Sequence, residues 1–336
     1  MNFYNNPYSE TNFFEFILLF LQRFWGFLTG NLSLSAIASD EIQILVLVGV
    51  SLSSATLGCF LVLRRMTMLA NALSHTILLG IVFAYFMASQ GIAENVNAHH
   101  DQISLEGMLL ASLAMGLLTT FLTEFLTKHT GLQEDASIGL VFTSLFALGI
   151  VLVTLLTRSA HVGTEVIMGN VDALSLSDLK LVIIALGLNA VLLFLFFKEF
   201  TITTFDPGLS RALGISPIFF NYLLMIQVSA TAIGGFRAVG VLMVLAFMTG
   251  PALTARLLTN HLKTMLLIAG PIGALASLIG VALSRHFLSV TGYALSTGGI
   301  VVSVNGAIFV ITIIAKEVLK LIADRQQRTQ NAPSTP

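Results

Sequence analysis

The chain is poor in charge: of its 336 residues, only 10% are Asp, Glu, Lys or Arg. Soluble globular domains carry roughly 25%, so that class is excluded. There is a single cysteine, Cys59, inside an apolar run, which leaves no disulfide scaffold. A formal net charge of −1 with no basic stripe excludes a nucleic-acid binder. The first twelve residues contain neither Lys nor Arg. The positive region of a secretory signal is therefore missing, and no cleaved leader is predicted.

What the chain has in abundance is apolar length: 56% of residues are hydrophobic and the mean hydropathy is +0.91. Runs of about twenty apolar residues recur, each long enough to cross a hydrocarbon core as a helix. Such runs fall near 42–63, 72–89, 104–126, 136–157, 179–197, 218–235, 239–258, 264–284 and 296–315. The expected fold is all-α, a polytopic membrane helical bundle of eight or nine transmembrane helices. Gly234, Gly235 and Gly240 are expected to divide the 218–258 stretch. Phe13 to Gly30 is apolar but interrupted by Glu15, Gln22, Arg23 and Trp25, which predicts a helix lying at the interface with Trp25 at headgroup depth. Three regions follow: residues 1–40 with that interfacial helix, a transmembrane domain at 41–320, and a disordered polar tail at 321–336.

Orientation is read from Lys and Arg. With the 64–71 turn inside, that side carries Arg64, Arg65, Lys128, Lys198, Arg211, Arg256, Lys263, Lys316, Lys320, Arg325 and Arg328. The other side holds Arg158, Lys180, Arg237 and Arg285. The expectation is a multi-pass membrane protein with its C-terminus cytoplasmic. The 90–103 loop, with His99, His100 and Asp101, then lies outside.

Catalytic devices are missing. Lys263–Thr264 is the only Lys followed by Ser or Thr, and no glycine-rich loop precedes it, so nucleotide binding by a P-loop is excluded. HExxH, GxSxG and clustered Cys/His patterns are also absent from the sequence. No enzymatic activity and no bound cofactor are expected. Among ionisable residues placed at membrane depth, His75 stands out, with Asn71 one turn before it on the same helical face. An imidazole and an amide oxygen there suit a passing divalent cation. The spacing alone favours the alternative, a histidine bonded to a neighbouring helix and an asparagine capping its own. Glu124 and Lys128 read as a solvated i,i+4 pair. His99, His100 and Asp101 read as metal capture or as loop polarity, and Arg237 as a snorkelling side chain in a short turn. His161 and His286 have no partner pattern, and Met243 and Met248 read as pliant packing.

One inside segment, KEFTITTFDPGLSRALGIS at 198–216, is long for a connection. Asp206 before Pro207 suits an N-cap with proline at the first helical position, and LSRAL reads as a short amphipathic helix. Such a helix either docks into a partner's groove or simply joins two spans.

Five segments, in order, resemble the ABC-3 family of metal-type permeases. LGCFLVLRRMTMLANALSHTILLGI (57–81) is similar to the family's LRRM and DALSHA signature. EDASIGLVFTSLFALGI (134–150), FDPGLSRALGI (205–215), AVGVLMVLAFMTGPALTARLL (238–258) and STGGIVV (296–302) resemble later family segments. The resemblance spans about residues 41–315. It implies the membrane subunit of a type II-like importer for manganese, zinc or ferrous iron. The divalent metal ion would be transported substrate rather than cofactor. The implied partners are cytoplasmic ABC ATPase subunits, a second permease subunit and an external substrate-binding protein, in membrane lipid. The coupling helix that enters the ATPase would comprise Phe205, Asp206, Pro207, Leu209, Arg211, Ala212, Leu213 and Gly214. His75 would be the metal contact in the pathway, with Asn71 at the position where the family commonly has Asp. An amide keeps an oxygen ligand and loses the charge, which favours a heterodimer whose other permease carries the Asp; a homodimer with a weak site is the alternative. STGGIVV departs too, with Ser and Gly where Pro and Ala are usual. Sparse polar lining fits a path that must release its cargo and disfavours a proton- or sodium-coupled carrier. Competing readings are a permease for cobalamin or iron-siderophore, a secondary metal transporter, and a non-transporting membrane assembly protein.

Overall fold

A computed structural model of the chain describes residues 6–9, 11–32, 37–69, 71–73, 76, 79–80, 82–83, 105–157 and 171–330. Among them the secondary structure is helical throughout, with no strand. The helices are α1 (Phe13–Leu28), α2 (Ser39–Leu63), α3 (Leu105–Thr130), α4 (Glu134–Thr157), α5 (Leu176–Leu195), α6 (Phe197–Phe205), α7 (Pro207–Ala212), α8 (Pro217–Val239), α9 (Val241–Leu258), α10 (Leu262–His286) and α11 (Thr297–Gln330). Between α2 and α3, the described residues from 67 to 83 are also helical. There Leu69, Ala72, Leu73, Thr76, Leu79 and Val82 are buried, the spacing of one helical face.

Five of the described helical stretches are long and apolar enough to cross a membrane: Ser39–Leu63, Asp135–Leu152, Leu176–Leu195, Leu262–Thr291 and Thr297–Ala323. Pro217–Ala232 and Leu242–Leu258 are shorter apolar helices. The chain is thus a helical membrane bundle. Most of the expected 72–89 span falls outside the described residues, as does the 90–103 loop.

α2 is the centre. It is buried for most of its length and packs against α5, α8, α9 and α10. Small side chains permit this: Ala55 and Cys59 of α2 meet Ala252 and Ala255 of α9 and Met265 and Ala269 of α10 in one cluster. At Gly58 any Cβ would overlap the carbonyl of Met248, so the α2–α9 approach requires glycine. Met243 and Met248 lie in the core, as packing predicts. Midway along α2, Asn189 Nδ2 of α5 donates to Ser53 Oγ (2.6 Å) and to Thr231 Oγ1 of α8, a fully buried polar tie across three helices.

Three sequence expectations are corrected. Gly234 and Gly235 do not break the 218–258 stretch; α8 continues to Val239, and only Gly240, at φ 84°, turns the chain into α9. Gly235 instead lets Val244 and Val50 approach, so Arg237 belongs to a helix and not to a turn. The 198–216 segment is mostly helical: α6 follows α5 after a one-residue break at Phe196 (φ −109°, ψ 22°). Finally, the polar residues after Asp324 stay helical as far as Gln330. The sequence there, DRQQRTQ, contains mainly good helix formers. At 34 residues α11 measures about 51 Å, longer than a hydrocarbon core of about 30 Å, so one end extends beyond it.

Candidate functional site

The polar chemistry of the described structure gathers at the two ends of α2. At the Ser39 end, Asp40 and Glu41 lie in the first turn, where the helix dipole favours negative charge. Both carboxylates are buried, at 4% and 3% exposure. Glu41 Oε2 accepts the Ala38 backbone N–H at 2.8 Å. Its carboxylate pairs with Arg23 of α1 and accepts the Tyr8 hydroxyl at 2.9 Å. Asp40 pairs with Arg285 of α10 and accepts from Asn6. Burial and the Glu41 hydrogen bond push the Tyr8 phenol well above its usual range.

The network continues to α11. Gln43 Nε2 donates to Asp172 Oδ1 (2.9 Å), which also accepts from Thr297 Oγ1 (2.8 Å). Thr297 and Ser284 share a hydroxyl contact of 2.8 Å. These groups line a cavity of about 180 Å³ with Asp40, Arg285 and Leu295. α1, predicted as an interfacial helix, presents Phe14, Leu18, Leu21 and Trp25 outward and packs on α10. Arg23 is not one of its free polar breaks but the counter-ion of a buried glutamate.

At the other end lies the predicted coupling segment. α6 ends at Phe205, which is 59% exposed. Asp206 caps α7, its Oδ1 accepting the Leu209 N–H at 2.9 Å, and Pro207 occupies the first helical position. After Leu213, Gly214 adopts φ 76° and its N–H donates to Arg211 O at 3.1 Å. Ser210, fully buried, fixes the exit through Oγ to Ile215 O at 2.7 Å. The result is a short capped helix with Phe205 before it, Leu209 within it and Leu213 at its end all exposed, four residues apart, and with Arg211 and Ala212 also exposed.

The same end holds Arg64, at the C-cap of α2. Arg65 takes φ 61°, the left-handed position usually given to glycine. Its N–H reaches Val62 O (3.2 Å) and the Met66 N–H reaches Leu61 O (2.9 Å). That turn directs Arg64 inward, where Nε donates to Thr204 Oγ1 (2.9 Å), Nη2 to Thr203 Oγ1 (2.9 Å) and Nη1 to Asn221 Oδ1 (3.3 Å). Burial pushes its guanidinium down to about 10. In the sequence, Arg64 counts among the inside cations and falls in the LRRM stretch that resembles the family signature, with no inward-facing role. Its position directly after an uninterrupted apolar run was the available signal, whereas Thr203, Thr204 and Asn221 carried none.

The predicted transport pair is only half in view. Asn71 is helical and half-buried, while His75 lies outside the described residues, as do His99, His100, Asp101 and His161. His286, at the Ser39 end, has a buried Nδ1 with no hydrogen-bond partner among the described residues. The Glu124–Lys128 pair forms as predicted. No group of three or more His, Cys, Asp or Glu able to hold a metal is found among the described residues.

Comparison with known proteins places this architecture. A probable metal transport system membrane protein of Chlamydia trachomatis serovar D is 36% identical over 309 residues, covering 92% of this chain and 93% of its own. The manganese transport system membrane protein MntD of Bacillus subtilis is 35% identical over 78% of this chain and 91% of its own. The solved structure of PsaBC from Streptococcus pneumoniae has the same fold, with a TM-score of 0.68 at 24% identity over 88% of this chain and 95% of that one. The profile of the ABC 3 transport family matches residues 41–316, and the chain is a member of that family, a multi-pass membrane permease of metal transport.

Proposed function

We propose that this chain is the permease subunit of an ATP-binding-cassette importer that moves a divalent metal ion, manganese, zinc or ferrous iron, into a bacterial cell. A separate cytoplasmic ATPase would energise it, an external metal-binding protein would supply it, and the chain itself would catalyse nothing. The observation that carries this reading is α7. A membrane bundle without a P-loop presents, at one end, a capped helix with exposed Leu209, flanked by exposed Phe205 before its cap and exposed Leu213 at its end. An apolar ridge on a rigid turn fits a groove in a soluble partner. The Bacillus subtilis relative's name supports manganese among the three metals.

Orientation follows the same logic. Arg64, Arg65, Arg211, Arg256 and Lys316 gather at the α7 end, where Lys316 Nζ also meets Leu257 O at 2.8 Å. Positive charge stays on the cytoplasmic side, so that end and the C-terminus are cytoplasmic. His75 and Asn71 are the proposed pathway contacts, and the missing charge at Asn71 favours a second, different permease subunit that carries a carboxylate there.

The test is radiometal uptake with manganese, zinc and iron in cells that also hold the ATPase and the binding protein. The intact chain should import one of them. His75→Ala should lower that uptake at least tenfold, and the paired change Leu209→Asp with Leu213→Asp should abolish it by releasing the ATPase. Equal uptake with and without the chain would overturn the importer reading, and full uptake by His75→Ala would remove that residue from the pathway.

A further inference from the structure

Arg64 is placed where a movement of α7 has to be felt. Its acceptors Thr203 and Thr204 form the last turn of α6, immediately before α7, and Asn221 lies in the first turns of α8, immediately after it. The guanidinium therefore joins both arms of the α6–α7–α8 segment to the end of α2, the helix around which the bundle packs. Among the described residues no carboxylate lies within ion-pair range of it. All three acceptors are neutral, and each threonine hydroxyl is already engaged as a donor: Thr203 Oγ1 to Glu199 O (2.8 Å) and Thr204 Oγ1 to Phe200 O (2.6 Å). The hydroxyls are thus oriented by their own helix, with lone pairs turned to Arg64. Hydrogen bonds of 2.9 to 3.3 Å are lost within a few tenths of an ångström of displacement. Any tilt of α7 either drags Arg64 along or breaks this fork.

We propose that Arg64 is the positioning residue that carries movement of the α7 segment into α2, so that the planar three-point fork, and not its charge alone, links the ATPase-facing surface to the transport path. This rests on the reading of α7 as the ATPase-docking helix. An arginine suits the task because its fixed fork reaches acceptors on two elements at once, whereas a lysine ammonium is a point donor on a flexible stem. Neutral acceptors suit it because they hold the guanidinium without the long-lived pairing that a buried carboxylate would impose.

The test uses the whole complex, with its ATPase and second permease subunit, in proteoliposomes. Manganese(II) and zinc(II) are the probes, and metal imported per ATP hydrolysed is the readout. Arg64→Lys should assemble normally and hydrolyse ATP within twofold of the native complex, while metal per ATP falls at least tenfold. The pair Thr203→Val with Thr204→Val should lower the ratio at least fivefold, and Thr203→Ser with Thr204→Ser should restore it to within twofold of native. Uptake and hydrolysis falling in proportion, or an unchanged ratio in Arg64→Lys, would overturn the proposal. If Arg64→Lys does not assemble, the valine and serine pairs decide between the same outcomes. Retention of the ATPase by the Leu209→Asp, Leu213→Asp chain overturns the docking reading itself. Loss of the ATPase there, with an unchanged ratio in Arg64→Lys, removes only the role of Arg64.

Discussion

The two ends of α2 solve the same electrostatic problem in opposite ways. At the Ser39 end, two buried carboxylates each have an arginine from another element, Arg23 from α1 and Arg285 from α10, with Tyr8 and Asn6 completing their shells. At the Leu63 end, a partly buried arginine has no carboxylate partner among the described residues and rests on two hydroxyls and an amide. Both arrangements agree with the helix dipole, which favours anions at the first turn and cations at the last. They differ in what removal of one partner leaves behind. At the first end it strands a charge; at the second, removal of the arginine leaves only two oriented hydroxyls and the Asn221 amide. The first end is built to hold still, and the second end can exchange its partners at low cost.

Three changes would break or sharpen that contrast. The largest effect is expected from Asp40→Ala, which strands Arg285 beside the cavity. Breaking a buried pair from one side costs about 3–5 kcal/mol, to be read as a lowered midpoint in a thermal or denaturant unfolding series in detergent. A fall of under about 1 kcal/mol, the range of exposed pairs, would mean that this end is solvated. Next is Arg64→Met, which removes the charge but keeps most of the volume. Because Thr203 and Thr204 retain their own carbonyl acceptors, stability should change by less than about 1.5 kcal/mol, the range of volume-conserving swaps. A loss as large as that of Asp40→Ala would make the two ends equivalent. The smallest effect is Arg65→Gly. The left-handed conformation costs a residue with a Cβ roughly 1–2 kcal/mol, while glycine gives back roughly 0.5–1 kcal/mol in unfolded-chain entropy. The unfolding midpoint should stay level or rise slightly, and a marked fall would show that the Arg65 side chain itself holds the turn.

Much of the architecture was legible in order. Apolar runs located the described membrane helices to within a few residues, except where polar residues were themselves good helix formers, as at 324–330. The α7 cap was legible because Asp-Pro followed by Gly is local chemistry: the carboxylate, the fixed φ and the turn all act within ten residues. The Gly234 and Gly235 expectation failed for the opposite reason. Gly235 serves the approach of Val50 and Val244 and Gly234 that of Leu181, and that packing overrides their weak local preference for a break. Asp40, Glu41, Arg23 and Arg285 were each visible as charges, yet their pairing joins positions 18 and 245 residues apart.

The sequence by itself determined that this chain lives in a membrane, that it is helical, that it lacks a P-loop, and where its capped α7 helix starts and stops. Each of these follows from composition or from forces that act over a few residues. Only the tertiary structure decided which charges are paired, that Gly58 admits the carbonyl of Met248, and that Arg64 grips both arms of the α7 segment. The physical reason is distance along the chain. A hydrogen bond or ion pair between remote residues depends on how whole helices pack, and neither partner carries a mark of the other in its own neighbourhood.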